Sequence, residues 1–181
     1  KTKLFDSLII IGTFIAGFGL FQYFVFPDLR SLLLYGWDEH YFRLVGTFLD
    51  PGFTGIIIVF FIALIFSRCD ERQGVGGWER VGEKVTSLIL GIGALLLTYS
   101  RASYLSLLAM VVAFYIVRRN LKFVLPFLIL FILGIFILPR PGGEGIRLER
   151  TSTIDARFVN YSQALEIAKK YPLFGVGFNL Y

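Results

Sequence analysis

Three arginines stand in a chain that leaves little room for charge. Arg43 lies in Arg43-Leu44-Val45-Gly46-Thr47-Phe48, Arg101 in Thr98-Tyr99-Ser100-Arg101-Ala102-Ser103, and Arg157 in Ser152-Thr153-Ile154-Asp155-Ala156-Arg157. Each sits at or near the end of an apolar stretch. Arginine stays ionised, and its planar fork of donors fits phosphate oxygens. Guanidinium groups from separate segments, gathered at one membrane surface, are what a lipid-linked diphosphate needs from a protein. Composition disfavours other chemistries. Cys69 is the only cysteine, so no intrachain disulfide can form. His40 is the only histidine, which excludes a His-rich metal centre, and no metal-ligand spacing is present. Gly175-Val176-Gly177 is not a dinucleotide fingerprint, because no strand precedes it and no third glycine follows at the required spacing.

The elements that position these arginines read as membrane helices. The chain is 56% hydrophobic and 17% charged, against about 45–50% and about 25% for an ordinary soluble domain. Its apolar residues fall in long runs, so the expected fold is all-α, a polytopic transmembrane helical bundle. Five spans are expected, at about 4–26, 51–67, 85–99, 102–117 and 123–138. Asp50-Pro51 opens the second well, with a capping carboxylate followed by a proline in the first turn. Residues 85–117 are too long for one span, and a single helix would hold Arg101 at mid-depth. An arginine there costs about 2.5–3.5 kcal/mol on insertion scales. An antiparallel pair turning at 99–102 avoids this.

Charge placement sets the orientation. The short segment Arg118-Arg119-Asn120-Leu121-Lys122 is strongly basic and should be cytoplasmic. Alternation then puts Lys1, Lys3 and the 67–84 connection inside. Arg43, Arg101 and the segment after residue 138 fall outside. That outer segment, 139–181, opens as a loop at Pro141-Gly142-Gly143. It continues as an amphipathic helix over 153–171, with Ile154, Phe158, Tyr161, Leu165 and Ala168 forming one apolar stripe. Ser152 and Asp155 have capping-box spacing, and Pro172 ends the helix. Such a helix would lie along a membrane surface or lid a cavity. The chain has no initial methionine and stops at Tyr181 inside what reads as a motif, so it reads as one domain of a longer protein.

Four segments, in this order between apolar runs, resemble the O-antigen ligase and polymerase family of bacterial envelope glycan enzymes. They are Arg43-Leu44-Val45-Gly46-Thr47-Phe48-Leu49-Asp50-Pro51, Leu97-Thr98-Tyr99-Ser100-Arg101-Ala102-Ser103, Asp155-Ala156-Arg157, and Pro172-Leu173-Phe174-Gly175-Val176-Gly177-Phe178-Asn179. The resemblance implies a GT-C-like membrane fold in the bacterial inner membrane, with its active face extracytoplasmic. It implies transfer of a glycan from undecaprenyl diphosphate to an acceptor hydroxyl on a glycan, lipid or protein. By motif position, Arg43, Arg101 and Arg157 would bind the diphosphate. The family's proposed catalytic histidine would lie beyond Tyr181, and the role does not pass to His40. No cofactor is needed, because the lipid carrier already activates the sugar, and the resemblance implies a metal-independent reaction. Membrane lipids are expected partners; nucleic acid is not.

Each residue also has an ordinary reading. Arg101 could be a turn charge snorkelling to the interface. Arg43 could be a loop cation near Asp38 and Glu39, and Arg157 a helix-surface partner of Asp155. His40 reads as an interfacial residue clustered with Trp37 and Tyr41, and Asp50 as a cap. The rival function is a transporter or flippase of an anionic lipid or small anion, with the arginines binding cargo. Inverted repeats or broken helices would favour it, and the sequence has neither.

Overall fold

The computed structural model describes residues 2–69, 77–118, 124–139, 141, 144–148, 152–172 and 175–177. Among them the chain is all-helical; its one strand-like feature is an isolated antiparallel bridge between Asp28 and Tyr41. Contacts divide it into two units, Lys1–Leu148 and Glu149–Tyr181.

The first unit holds α1 (Thr2–Val25), α2 (Pro51–Cys69), α3 (Gly77–Leu97), α4 (Arg101–Arg118) and α5 (Val124–Ile137). α2 is central and packs against α1, α3 and α4. Its sequence is apolar nearly all round, the pattern of a helix with neighbours on several sides. Ile58, Phe61, Ile62 and Ile65 are buried there against Ala16 and Tyr23 of α1, Ile92 and Leu95 of α3, and Leu107 of α4. Gly55 is what lets α4 come close. A Cβ at that position would stand 2.1 Å from Ser103 Oγ and 2.6 Å from Ser103 Cβ. Small residues at helix crossings are how helices approach each other in lipid, where apolar burial gives no drive to associate.

The outward surface of this unit is rich in large apolar side chains. Phe14, Phe21 and Phe24 of α1, Leu105 and Ile116 of α4, and Phe136 and Ile137 of α5 are all exposed. Among the described helices, Lys3–Val25 alone is long and apolar enough, by length and composition, to cross a membrane. The other apolar helical stretches are shorter: Pro51–Ser67, Val85–Leu97, Arg101–Val117 and Leu128–Ile137.

Two details differ from the sequence reading. α3 begins at Gly77, so part of the presumed 67–84 connection is helical. Glu79, Arg80, Glu83 and Lys84 are good helix formers, and the helix therefore outruns its apolar segment. The chain does break between α3 and α4, at residues 98–100, but the two helices do not pack as a hairpin; among the described residues α4 leans on α2 instead. The basic segment at Arg119 and Lys122, Gly142-Gly143, and Leu173, Phe174, Phe178 and Asn179 lie outside the described residues.

The second unit contains α6 (Ser152–Lys170), with Asp155 in its first turn and Lys169 and Lys170 in its last. That arrangement complements the helix dipole at both ends. The helix stops before Pro172, as the ring requires. The stripe of Ile154, Phe158, Tyr161, Leu165 and Ala168 is exposed throughout. Ser152 is already helical, and its side chain lies outside the description.

Candidate functional site

One end of the first unit carries a set of bonded and buried polar groups. The C-termini of α1 and α3 meet the N-termini of α2 and α4 there, together with the connection 26–50 and the turn Glu144–Ile146. The base of the connection is closed by the Leu29 N–H on the His40 carbonyl (2.9 Å) and the Phe42 N–H on the Pro27 carbonyl (2.9 Å). Residues 30–39 project beyond that closure as an exposed excursion containing a 3-10 turn, Arg30–Tyr35. Residues 40 and 44–46 turn back and are buried.

What holds the returning strand of chain is a set of long-range bonds. Leu44 donates its N–H to the Leu97 carbonyl at the end of α3 (2.8 Å). Gln22, buried in α1, accepts from the N–H groups of Val45 (3.0 Å) and Gly46 (3.4 Å), and its amide donates to the Phe26 carbonyl (2.9 Å). Thr54 of α2 donates its hydroxyl to the Val45 carbonyl. The segment ends as expected at Asp50, whose carboxylate accepts from the Phe53 N–H and caps α2.

Backbone strain concentrates at the same end. Phe42, Leu49 and Tyr99 are the non-glycine residues of positive φ among those described, at 48°, 55° and 49°. Left-handed conformations cost bulky L-residues free energy and persist where surrounding structure over-determines them, often at functional sites. Tyr99 explains how the chain turns between α3 and α4 without glycine or proline. Its side chain is fixed by donation to the Pro139 carbonyl. Ser100 then caps α4 by accepting from the Ser103 N–H (3.3 Å).

Two of the three expected arginines belong to this end. Arg43 reaches across the fold and donates from Nε to the Thr98 carbonyl (3.1 Å) and from Nη2 to the Tyr99 carbonyl (3.4 Å). Those carbonyls lie three and two residues before Arg101. Gly145 backs the stem of Arg43, since a Cβ there would stand 2.9 Å from Arg43 Cδ. Arg101 is the first residue of α4, half-buried, and donates from Nη1 to the Leu148 carbonyl (3.3 Å). A cation at a helix N-terminus is unfavourable, because the dipole already makes that end positive. Adding guanidinium charge to those N–H groups produces an anion-attracting end. Arg157 is exposed in the second turn of α6, within the second unit.

His40 departs from its sequence reading. Trp37 is exposed on the excursion, and Tyr41 pairs with Phe42 at 4.6 Å between ring centroids. The His40 ring is buried instead, and among the described residues neither Nδ1 nor Nε2 has a partner of good hydrogen-bond geometry, the Leu49 backbone making only a weak contact. Burial and the Arg43 guanidinium hold its pKa below the usual imidazole value of 6.5. Asp38, Asp50 and the Leu49 backbone partly offset them. The imidazole is therefore neutral at pH 7. Sequence reasoning missed Gln22, Thr54 and Ser103. The available signal was the presence of lone polar side chains within apolar helices. An open groove of about 260 Å³ runs between the first two turns of α4 and α5, lined by Tyr104, Leu108, Phe131, Ile132 and other apolar residues. Among the described residues no cluster of three or more His, Cys, Asp or Glu is placed to hold a metal ion.

An all-helical unit with an apolar exterior and arginines at one end is the class of protein these features define. Residues 86–181, more than half of the chain, match the family model described as O-antigen ligase, and the chain belongs to that family. The family consists of membrane-embedded ligases of bacterial polysaccharide biosynthesis, acting on a lipid-linked glycan and an acceptor. Arg101 and Arg157 fall inside the matched residues, and Arg43 precedes them. No curated protein and no solved structure matches the chain.

Proposed function

We propose that this chain is the polytopic, GT-C-like part of an inner-membrane glycosyltransferase. It takes a glycan from undecaprenyl diphosphate and joins it to an acceptor hydroxyl at the extracytoplasmic face. The observation that carries the reading is the grip of Arg43 on the Thr98 and Tyr99 carbonyls, in the turn that presents Arg101. Two guanidinium-bearing segments distant in sequence are thereby tied to one place. In the transfer, the acceptor oxygen forms a bond to the anomeric carbon while the bond to the diphosphate oxygen breaks. Negative charge grows on that leaving group, and fixed guanidinium donors stabilise it. Arg101 and Arg43 are assigned this role, and Arg157 is assigned to the diphosphate by its motif position alone. The five helices α1–α5 are the proposed spans, with the Arg43 end outside.

The test of function is glycan transfer by purified full-length protein from an undecaprenyl-diphosphate glycan. Arg101→Lys keeps the charge but loses the bidentate fork. Most transfer should be lost at normal protein level, and Arg101→Ala should be at least as severe. Wild-type rates in the alanine variants of all three arginines would remove the assignment. Topology is tested separately with single cysteines in a Cys69→Ser background. Cysteines at Asp38 and Glu144 should react with an impermeant thiol reagent from outside, and one at Gly76 should not. The reverse pattern would invert the orientation.

A further inference from the structure

The stripe along α6 keeps its large side chains open to their surroundings. Phe158 is 70% exposed, Tyr161 67% and Leu165 58%. Exposed apolar patches rimmed by polar residues mark interaction surfaces, and here the rim shows which kind. At about 100° per residue, the five stripe positions lie within about 40° of one direction around the helix axis. Arg157 falls about 60° to one side of that direction and Lys169 about 60° to the other. Both are exposed. The carboxylates Asp155 and Glu166 stand further round, at about 100° and about 120°, and Gln163 is on the far side. Val159 and Ile167 are also on the far side, so apolar residues alone do not single out the stripe. The rings of Phe158 and Tyr161, with a cation along each border, do.

We infer that α6 is an in-plane membrane helix, seated by its stripe in the headgroup layer of the bilayer, with Arg157 and Lys169 on lipid phosphates at either side. Long basic side chains lay their stems along an apolar face and lift their charges to the phosphate level. Tyr161 suits the same boundary, with an apolar ring and a polar tip. A cavity lid is the other place open to such a helix. It would press the stripe against protein and take the bordering cations out of water, at a cost that lipid phosphates do not impose. The surface is therefore one for anionic lipid. The inference needs the membrane in which the family is embedded and makes no use of the diphosphate assignment. It does put Arg157 at the depth of lipid phosphates, where a lipid-linked diphosphate would also lie.

The experiment uses cysteine-free full-length protein in vesicles of phosphatidylethanolamine and phosphatidylglycerol, with a nitroxide on Leu165→Cys or Gln163→Cys. Both positions are exposed, so neither label displaces a core residue. Collisions are measured with oxygen, which concentrates in lipid, and with a water-soluble nickel chelate, which stays out of it. At 165 oxygen should dominate, with nickel access several-fold below that at 163. Reversing both border charges, Arg157→Glu with Lys169→Glu, should raise nickel access at 165. Replacing phosphatidylglycerol by phosphatidylcholine around the parent should raise it in part. High and equal nickel access at 165 and 163 would overturn the inference, because the stripe would then face water. Low collision rates with both reagents at 165 would overturn it too, since the stripe would be packed on protein, whether another segment of the chain or a second copy. An oxygen-dominated signal at 165 that ignores both the charge reversal and the lipid change would overturn the assignment of Arg157 and Lys169 to lipid phosphates. None of these readouts depends on glycan transfer, so the diphosphate reading and the membrane seat of α6 can fail separately.

Discussion

The connection between α1 and α2 contains two arginines in opposite circumstances. Arg30 sits on the exposed excursion and pairs with Asp28 two residues away, Nη2 to carboxylate at 2.6 Å. Its guanidinium also lies 4.5 Å from the Tyr41 ring centroid. Arg43 sits on the returning half and donates to carbonyls 55 and 56 residues further along the chain. The first set of contacts is local, solvated and replaceable by water. The second ties the connection to the break between two helices. Exposure alone would not separate a solvated charge from a working one, but the sequence distance of the partners does. A guanidinium held by remote backbone is fixed in space before any ligand arrives, which is the preorganisation that charge stabilisation requires.

The largest effect that would sharpen this contrast is on activity. Arg43→Ala should reduce glycan transfer by about 10²–10³-fold, the usual cost of deleting a fixed donor to a developing anion. Arg30→Ala in the same membranes serves as the reference. Equal activity of the two variants at equal protein level would erase the distinction between the halves of the connection.

Stability gives the next largest difference. Gln22 is buried and accepts from the Val45 and Gly46 N–H groups. Gln22→Leu leaves both donors without a partner inside the fold, at a cost of about 1–3 kcal/mol for each. Thermal unfolding of the full-length protein should show it as a clear fall in melting temperature. An unchanged value would mean that the returning half is held by Leu44, Thr54 and Arg43 without help from α1.

These residues also show what the sequence could and could not reveal. Asp50-Pro51 was legible because a cap and a first-turn proline act on their own neighbours, and α2 begins at Pro51 as read. The break before Arg101 was legible from length and from the cost of a mid-membrane cation. The hairpin drawn there was not what formed, because pairing depends on a third party. α2 accepts α4 at Gly55, where a side chain would collide with Ser103. The apolar stretch of α3 does begin at Val85, but the polar turns before it were read as connection, because apolarity bounds a span and not the helix that carries it. Family membership was legible from motif order. The grip of Arg43, the role of Gln22 and the burial of His40 were not, since each joins segments whose approach no local pattern encodes.

A smaller effect is expected from acid. The folded state holds His40 neutral beside Arg43, with a pKa below 6.5, whereas the unfolded chain titrates near 6.5. In that window the unfolded state binds more protons, so stability falls as pH is lowered from about 6.5 toward the depressed folded value. Above it, His40 contributes no pH dependence. The melting temperature of the full-length protein should therefore decline more steeply on mild acidification than that of His40→Phe. Identical slopes would mean that the ring is solvated in both states. Asp38 and Asp50, the carboxylates that favour the charged ring, would then dominate over burial.

The smallest effect belongs to the excursion. Hydrogen bonding to Arg30 holds the Asp28 carboxyl down to about 2, against an ordinary 3.8. The sign is that of a depressed acid. Any contribution is present above about 3.8 and disappears as pH falls toward 2. Yet both side chains are exposed, at 56% for Arg30 and 46% for Asp28, so water and salt screen the pair. Exposed pairs of this kind contribute little, and the stacking of Arg30 on the partly exposed Tyr41 ring is a weak contact as well. Asp28→Asn, Arg30→Lys and Arg30→Ala should therefore leave melting temperature and glycan transfer close to parental near neutral pH. Raising the salt concentration should not change that outcome. If Arg30→Ala lost transfer while Arg30→Lys kept it, a positive charge on the excursion would be acting at long range. The division between a solvated outer half and a working inner half would then have to move outward, past Tyr41.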